Sequence, residues 1–287
     1  MKKLGVALGG GGLKGLAHIG VLQILHENNI PVSFISGTSA GSIIAALFAV
    51  GMSPYAMEKL VLGLKAGDYV DYDLAGFFKY IFSLYIPGYK VPLKGFIKGK
   101  RIERMIYKLT GGKKLNDVLV PIAIIACDID TGREIIFTNQ EIEGLDKNTI
   151  IVRDAYLSEA VRASISIPVT FVPARFKDMQ LVDGGIKEII PAEAVSKMGA
   201  EYVLSVNLGW TVYNRQVKNL DEIVKRTLSI LIYETSGDTL DYYSDLILSP
   251  PVPEVNLKAI EKAYEIIRIG RKSMKKSLDD LKKGLNS

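Results

Sequence analysis

The first fifty residues alternate short apolar segments of strand length with segments of helical spacing. Leu4–Leu8 is a short apolar run, four glycines at 9–12 form a turn, and apolar residues then recur at helical spacing over 16–25. A second strand is predicted over Val32–Ser36 and a second helix over Ser42–Val50. Strands that alternate with helices pack as a mostly parallel sheet with helices on both faces. The chain is therefore predicted to be an α/β protein.

The later part of the chain continues this alternation of strands and helices and then becomes mainly helical. Further runs of strand length lie at Val120–Cys127, Glu134–Thr138, Met179–Val182 and Tyr202–Asn207. After Trp210, one helix is predicted over Leu220–Tyr233 and another from Val255 toward Leu281. Lysines share this last helix with apolar residues, which favours a solvated face over a docking surface.

Residues 77–96 differ from the rest in composition, because they hold seven of the 24 aromatic residues of the chain. These are Phe77, Phe78, Tyr80, Phe82, Tyr85, Tyr89 and Phe96. Lysines and glycines are interleaved with them, which suits a flexible cap or a membrane-surface contact. A core helix followed by a loop is the somewhat favoured explanation, because aromatics at mixed spacing more often serve packing than function. The pattern alone leaves these readings open.

Cysteine content and charge exclude several classes of protein. The single cysteine, Cys127, cannot form an internal disulfide, which favours a reducing, cytoplasmic home and argues against a zinc or redox role. The net charge of +5 is too diffuse to indicate a nucleic-acid binder, although it permits contact with an anionic membrane surface. No membrane span is predicted, because the densest apolar run near the serine motif, Ile43–Val50, is far shorter than the ~20 residues needed.

A serine lies where the second strand meets the second helix, in the motif Gly37-Thr38-Ser39-Ala40-Gly41. Small residues flank Ser39 because a sharp turn leaves no room for larger ones. Such a turn lifts the hydroxyl clear of the sheet near the positive end of the following helix, where a nucleophile is favoured. An ordinary glycine-flanked helix start with Ser39 near the cap is the alternative.

A serine nucleophile needs a base, and the position of the histidines excludes the usual one. Both histidines, His18 and His26, precede Ser39, so the order serine, acid, histidine is absent. Both also fall within the first predicted helix, which favours structural roles for them.

A carboxylate at a strand end is the remaining candidate base. Asp183-Gly184-Gly185 follows the strand Met179–Val182, and α/β sites assemble at the carboxyl ends of strands. Paired with Ser39, Asp183 would form a dyad, with burial raising its pKa toward that of a useful base. A tight turn is the alternative explanation of the two glycines.

The third motif is a glycine-rich loop, Gly10-Gly11-Gly12-Leu13-Lys14-Gly15, between the first strand and first helix. Dinucleotide binding would require a carboxylate about twenty residues on, but Phe34, Ile35 and Ser36 stand there. We therefore interpret the loop as an oxyanion site, with the Gly11 and Gly12 amides as donors and Lys14 adding positive charge.

Four separated motifs together resemble the patatin-like phospholipase family. They are the stretch from Gly10 to Gly20, the serine motif Gly37–Ser42, the stretch Ala163–Pro168 with Phe171, and Asp183–Gly185. The resemblance spans roughly residues 4–209 and implies a catalytic domain there, with a three-layer α/β/α fold. Residues 52–115 would form a helical, aromatic cap-like insertion, and residues 210–287 a helical extension packed on the same domain.

The resemblance also implies an activity: hydrolysis of lipid acyl esters, of the phospholipase A or lysophospholipase type, without metal or cofactor. Ser39 would be the nucleophile that forms an acyl-enzyme, Asp183 the proton acceptor, and the Gly11 and Gly12 amides the oxyanion hole. The partner would be a lipid or fatty-acyl ester, whose identity and chain length the motifs do not specify, and the oligomeric state is not indicated. A non-catalytic lipid- or protein-binding member of the same fold is the alternative.

The chain departs from the family pattern at two positions. Lys14 stands where the family often has arginine, which keeps the charge but loses the two-pronged grip on a phosphate. Ile189 stands where many members have asparagine, two residues before Pro191. The first departure bears on head-group preference, and the second concerns a loop contact.

Overall fold

The structure, a computed structural model, describes residues 1–83, 86, 92–209, 216–218 and 220–287. Its strands are β1 (Leu4–Leu8), β2 (Val32–Thr38), β3 (Ile122–Asp128), β4 (Glu134–Thr138), β5 (Thr149–Val152), β6 (Ala174–Phe176), β7 (Met179–Asp183), β8 (Tyr202–Val206) and β9 (Leu246–Leu248). Its helices are α1 (Ala17–Glu27), α2 (Ala40–Ala49), α3 (Pro54–Leu62), α4 (Ala66–Tyr69), α5 (Leu74–Ser83), α6 (Lys100–Leu109), α7 (Leu157–Ser164), α8 (Ala192–Lys197), α9 (Leu220–Thr235), α10 (Gly237–Tyr243), α11 (Ala263–Lys276) and α12 (Leu278–Asn286). Short 3-10 turns lie at Gly12–Leu16, Leu115–Asp117, Gly184–Ile186 and Ile260–Lys262.

The strands form one sheet in the order β5-β4-β3-β2-β1-β8-β9, with β7 on β3 and β6 on β7. Five neighbouring pairs are parallel: β1–β2, β1–β8, β2–β3, β4–β5 and β8–β9. Three pairs are antiparallel: β3–β4, β3–β7 and β6–β7. The prediction of a mostly parallel sheet is confirmed.

Helices cover both faces of this sheet, which gives the three layers. Successive side chains of a strand point to opposite faces. In β1, Val6 belongs to the large core cluster that also contains residues of α1, α2 and α7, whereas Ala7 packs with α8 on the other face. In β3, Ile124 and Ile125 divide between the two faces in the same way. The sheet is thus buried on both sides, as its continuous apolar strands require.

Most predicted elements appear with small shifts of boundary. β1 and β4 have the predicted bounds, β2 extends two residues further to Thr38, and the second helix begins at Ala40 rather than Ser42. The single long helix predicted from Val255 is wrong in extent. The chain there is irregular up to a short turn at Ile260–Lys262, and two helices follow, with a break at Ser277.

Residues after 216 share the core of the preceding residues. β9 extends the sheet by pairing with β8, and α11 packs against α1. Glycines allow this close approach, because a Cβ at Gly20 would overlap the Ile267 carbonyl and one at Gly270 the Ala17 carbonyl. Among the described residues, no helix combines the length and apolarity needed to cross a membrane.

Candidate active site

Two strand ends meet head-on along one edge of β3. β4 occupies the other edge, so β2 and β7 must share this one. β2 pairs as far as Thr38 with Ile125, and β7 arrives from the opposite direction with Asp183 beside Ala126. The residue after β2, Ser39, therefore meets Asp183. The sequence predicts Asp183 at the carboxyl end of a strand, and the structure shows that this strand, β7, runs antiparallel to β3 and reaches the site from the side opposite to β2.

Ser39 occupies a strained turn between β2 and α2. Its φ of 52° and ψ of −124° are unusual for a residue that is not glycine. The flanking glycines make the turn feasible. A Cβ at Gly37 would lie 2.6 Å from the Gly41 carbonyl carbon, and one at Gly41 would overlap the Leu8 carbonyl. The glycines of the motif are thus required by close backbone contact.

Hydrogen bonds hold this turn in place on both sides. The Ser39 amide donates to Oγ of Ser164, at the end of α7, over 2.9 Å. The Ser39 carbonyl accepts from the Ser42 hydroxyl at 2.6 Å, and the Thr38 hydroxyl donates to the Glu188 carbonyl at 2.8 Å. Ser164 lies in the stretch Ala163–Pro168 that carried part of the family resemblance, but nothing in the sequence indicated its contact with Ser39.

Asp183 is buried, and one of its oxygens is uncompensated. Oδ1 accepts from the Gly185 amide at 2.8 Å, while Oδ2 is buried and accepts no hydrogen bond from the described residues. Burial raises the pKa of Asp183 to about 6, against the opposing influence of the neighbouring Ser39 hydroxyl and the Gly185 amide. Gly184 has no space for a side chain because the Ile125 carbonyl fills it. The carboxyl group therefore sits in a rigid, dry setting beside the serine.

The glycine loop brings backbone amides close to Ser39. A Cβ on Gly10 would lie 3.2 Å from the Ser39 Cβ, so only glycine permits this approach without displacement. The Gly10 amide donates to the Ile189 carbonyl at 2.9 Å. Within the described part of the chain, the Gly11 and Gly12 amides donate to no acceptor, and Gly12 has a φ of 57°. Of the three glycine amides, these two are the ones left open for an incoming oxygen.

Lys14 and Gly15 join the loop to its surroundings. Lys14 is buried and its Nζ donates to the Leu208 carbonyl, so the ammonium group ties the loop to the segment after β8. Burial lowers the pKa of Lys14 to about 8, and Glu254 partly offsets this. A Cβ on Gly15 would lie 2.6 Å from the Ala40 Cβ, so this glycine allows the loop to pack on the start of α2.

The two histidines take part in packing along α1. Nε2 of His18 donates to the Gly9 carbonyl at 2.8 Å, immediately before the glycine loop. Burial lowers the pKa of His18 to about 4, so the ring is neutral near pH 7. His26 makes an edge contact with Tyr55, with ring centroids 6.2 Å apart.

An apolar cavity opens beside Ser39, and its volume, counted with its open mouth, is about 960 Å³. One wall is a single face of α2, made of Ala40, Ile43, Ile44 and Leu47. A second wall is the matching face of α6, made of Ile102, Met105, Ile106 and Leu109. Both sets follow the i, i+3, i+4, i+7 spacing of one helical face. Gly12 and Gly15 also line the cavity, so the glycine loop, the serine and the apolar walls belong to one site.

Remote parts of the chain complete the cavity. Leu257 and Ile260, from the segment before α11, line it, and the Tyr69 hydroxyl donates to the Leu257 carbonyl at 2.6 Å. Residues 52–115 contribute α3, Tyr69 and α6 to its walls. None of the aromatics of 77–96 that the structure describes lines the cavity.

Those aromatics are also not a buried core. Phe77, Phe78, Phe82 and Phe96 are exposed, and Tyr80 is half-buried, so the core-helix reading of this segment is wrong for these residues. Tyr85 and Tyr89 lie outside the described residues.

Comparison with known proteins identifies the family. The model of the patatin-like phospholipase family matches residues 6–196, two thirds of the chain. The chain belongs to the patatin-like phospholipase family. Among curated relatives of this patatin-like chain, a lysophospholipase NTE1 of Scheffersomyces stipitis is 26% identical over 93% of this chain and 17% of its own length. An uncharacterised NTE family protein of Mycobacterium tuberculosis is 30% identical over 72% of this chain and 30% of its own. The patatin-like chain thus spans less than a third of either relative.

Solved structures share the fold of this patatin-like chain. VipD from Legionella pneumophila superposes with a TM-score of 0.56 at 15% identity, covering 97% of this chain and 67% of VipD. The type III effector ExoU superposes with a TM-score of 0.50 at 16% identity, covering 97% of this chain and 53% of ExoU. Both likenesses establish the fold of the patatin-like chain, which agrees with the predicted α/β class.

Proposed function

We propose that the protein hydrolyses acyl esters of lipids, of the phospholipase A or lysophospholipase type, with Ser39 as nucleophile and Asp183 as base. The observation that carries this proposal is the meeting of three features at one point. Ser39 lies in a strained strand-to-helix turn, the buried Asp183 carboxyl lies beside it, and the apolar cavity opens from the same residue. The family and its lysophospholipase-named relatives support the same chemistry.

The first half of the reaction forms an acyl-enzyme. Asp183 takes the hydroxyl proton while Oγ of Ser39 attacks the carbonyl carbon of the ester. The negative charge that develops on the carbonyl oxygen is stabilised by the Gly11 and Gly12 amides. The tetrahedral intermediate then collapses, the ester C–O bond breaks, and the leaving alcohol receives the proton from Asp183.

The second half releases the fatty acid. Asp183, again unprotonated, takes a proton from water as the water oxygen attacks the acyl carbon. The tetrahedral intermediate uses the same two amides, and its collapse returns the proton to Oγ of Ser39. A carboxyl with a pKa of about 6 suits both halves, because it is mostly ionised at pH 7 yet accepts a proton more readily than an exposed aspartate. These steps use the chain's own groups and call for no metal or cofactor.

The apolar lining of the cavity suits the acyl chain of the substrate. Its α2 wall runs from Ser39 to Leu47, which is about 12 Å at the helical rise of 1.5 Å per residue. An extended acyl chain that starts at Ser39 would reach Leu47 with on the order of ten carbons. Leu47 is therefore our candidate for the residue that the methyl end of such a chain meets.

The proposal includes a cytoplasmic location, a peripheral contact with the membrane that supplies the lipid, and no nucleic-acid partner. The single buried cysteine, Cys127, suits a reducing compartment, and the basic net charge suits an anionic lipid surface.

A lipid panel tests the proposed activity. Phospholipids, lysophospholipids, acylglycerols and acyl thioesters are incubated with the wild-type protein and with Ser39→Ala, and released fatty acid is measured. We expect release from at least one class by the wild-type protein and its loss in Ser39→Ala. Activity retained in Ser39→Ala would refute Ser39 as nucleophile, and absence of hydrolysis from every class would favour the non-catalytic binding alternative.

A further inference from the structure

Helix α5 turns its apolar face toward solvent. Leu74, Phe77, Phe78, Ile81 and Phe82 recur at the spacing of a single helical face, and they are 62, 38, 67, 36 and 64% exposed. The one buried residue of the helix is the small polar Ser83. A surface helix of a globular protein normally buries such a stripe, and a cluster of exposed large apolar side chains marks an interaction surface.

The segments on either side of α5 lead to the apolar cavity. Tyr69, five residues before α5, lines the cavity. After the helix, Ile97 pairs with Phe171, which also lines the cavity. Phe77 of the stripe is in ring contact with Phe96, the residue before this pairing, with centroids 6.4 Å apart. Helix α5 is therefore joined on one side to a residue that lines the cavity and on the other to a residue that pairs with its lining.

The charge of the surrounding segment favours an anionic partner. Residues 52–115 contain twelve lysines and arginines against five aspartates and glutamates, whereas the whole chain has 36 against 31. The remainder of the chain is therefore slightly acidic, and the basic excess belongs to the segment that carries α5. Lys79 lies exposed on α5 itself and Lys94 is exposed after it, whereas Lys98 pairs with Asp73 at 3.2 Å. Basic residues near an anionic bilayer strengthen binding to it.

We propose that α5 is a docking helix that lies in the plane of an anionic phospholipid bilayer, with Phe78 and Phe82 inserted among the acyl chains. An apolar helical face flanked by basic residues is the arrangement that binds bilayer interfaces. Docking in this way brings the mouth of the cavity to the lipid. The role of the docking helix rests on the proposed function, because docking serves lipid hydrolysis. Binding of the helix to a bilayer does not itself depend on hydrolysis.

The test measures binding to vesicles separately from catalysis. All proteins carry Ser39→Ala so that the vesicles stay intact, and binding is measured by co-sedimentation with vesicles of phosphatidylglycerol and phosphatidylcholine in equal parts. We expect stronger partition onto these vesicles than onto pure phosphatidylcholine, with a decrease at high salt. Adding Phe78→Ser and Phe82→Ser should lower the partition coefficient on the order of a hundredfold, because two large apolar groups no longer leave water.

Tyr242→Ser is the matched control. Tyr242 is an exposed aromatic, 81% accessible, on α10, which packs with α8 on the opposite side of the sheet. This variant should bind as the Ser39→Ala parent does. The thermal midpoint of the double variant should equal that of the parent, since both phenylalanines are mostly exposed.

Three results would overturn the inference. The first is no partition of the parent onto anionic vesicles, and the second is equal partition of the double variant and the parent. The third is a parent that sediments as a dimer and a double variant that sediments as a monomer, which would assign the face to a second copy of the chain. The docking helix and the proposed activity can fail separately. If vesicle binding depends on the two phenylalanines but the wild-type protein hydrolyses no lipid class, the docking helix is supported and the proposed hydrolase activity is refuted.

Discussion

Replacing Asp183 by asparagine should make the protein more stable while removing the base. The carboxyl group is fully buried with one oxygen unpartnered among the described residues, and burial raises its pKa from 3.8 to about 6. Such a rise means that the folded protein disfavours the charged form. Asparagine has nearly the same shape, keeps an oxygen for the Gly185 amide, and carries no charge.

The size and sign of the effect follow from the pKa. Each pKa unit corresponds to about 1.4 kcal/mol, so a rise from 3.8 to about 6 costs the folded protein about 3 kcal/mol when the group is ionised. Because the folded-state pKa lies above the unfolded-state value, the cost is absent below pH 4 and complete above pH 6. Asp183→Asn should therefore raise the free energy of unfolding by about 3 kcal/mol at pH 8 and by almost nothing at pH 4.

Urea denaturation between pH 4 and pH 8 measures this difference. The control is Asp178→Asn, an exposed aspartate just before the same strand, which should leave the free energy of unfolding unchanged at every pH. An Asp183→Asn protein that is no more stable than wild type at pH 8 would refute the view that Asp183 is held in a strained, desolvated state for its role as base. A gain in stability with loss of activity would exemplify the trade-off between stability and function at active sites.

Three further predictions concern the rate, the chain length and the serine turn. For a soluble ester, kcat/KM should fall about tenfold from pH 7 to pH 5, because a base with a pKa of about 6 becomes protonated, whereas a flat profile would contradict Asp183 as base. Leu47→Trp should shift the preferred acyl chain to a shorter length in a competition among chain lengths, and an unchanged preference would remove Leu47 as the end of the slot. Gly41→Ala should prevent folding, as judged by circular dichroism, because its Cβ would overlap the Leu8 carbonyl, whereas Gly67→Ala, with open space around it, should fold normally.

Much of the fold could be predicted from the pattern of apolar residues. The N-terminal alternation of strands and helices was sufficient to predict the mostly parallel sheet, and β1 and β4 were predicted with their observed bounds. The antiparallel direction of β7 could not be predicted, because an apolar run of strand length carries no information about direction. The three- and four-residue strands β5, β6 and β9 are too short for periodicity to reveal.

The candidate site was predictable at its centre and not at its edges. Ser39 and Asp183 stand in motifs whose glycines are required by local backbone contacts, so the sequence marks them. Two features of the site could not be predicted: the contact of Ser164 with the Ser39 amide, and the part of the cavity wall formed by Leu257. Both residues lie more than a hundred positions from Ser39, so no local sequence pattern indicates them. The aromatics of 77–96 stand out in the sequence by composition, but composition is the same for a buried and an exposed segment, and only the structure shows that the apolar face of α5 points to solvent.

Covalent labelling of the serine tests the central claim most directly. The protein is treated with a fluorophosphonate, which forms a stable adduct with an activated serine hydroxyl, and the modified residue is located by mass spectrometry of peptides. We predict a single adduct on Ser39, formed much more slowly in Asp183→Asn and absent in Ser39→Ala. Two results would contradict the account. One is lipid hydrolysis by a protein whose adduct lies on a residue other than Ser39, and the other is labelling of Asp183→Asn as fast as that of the wild-type protein.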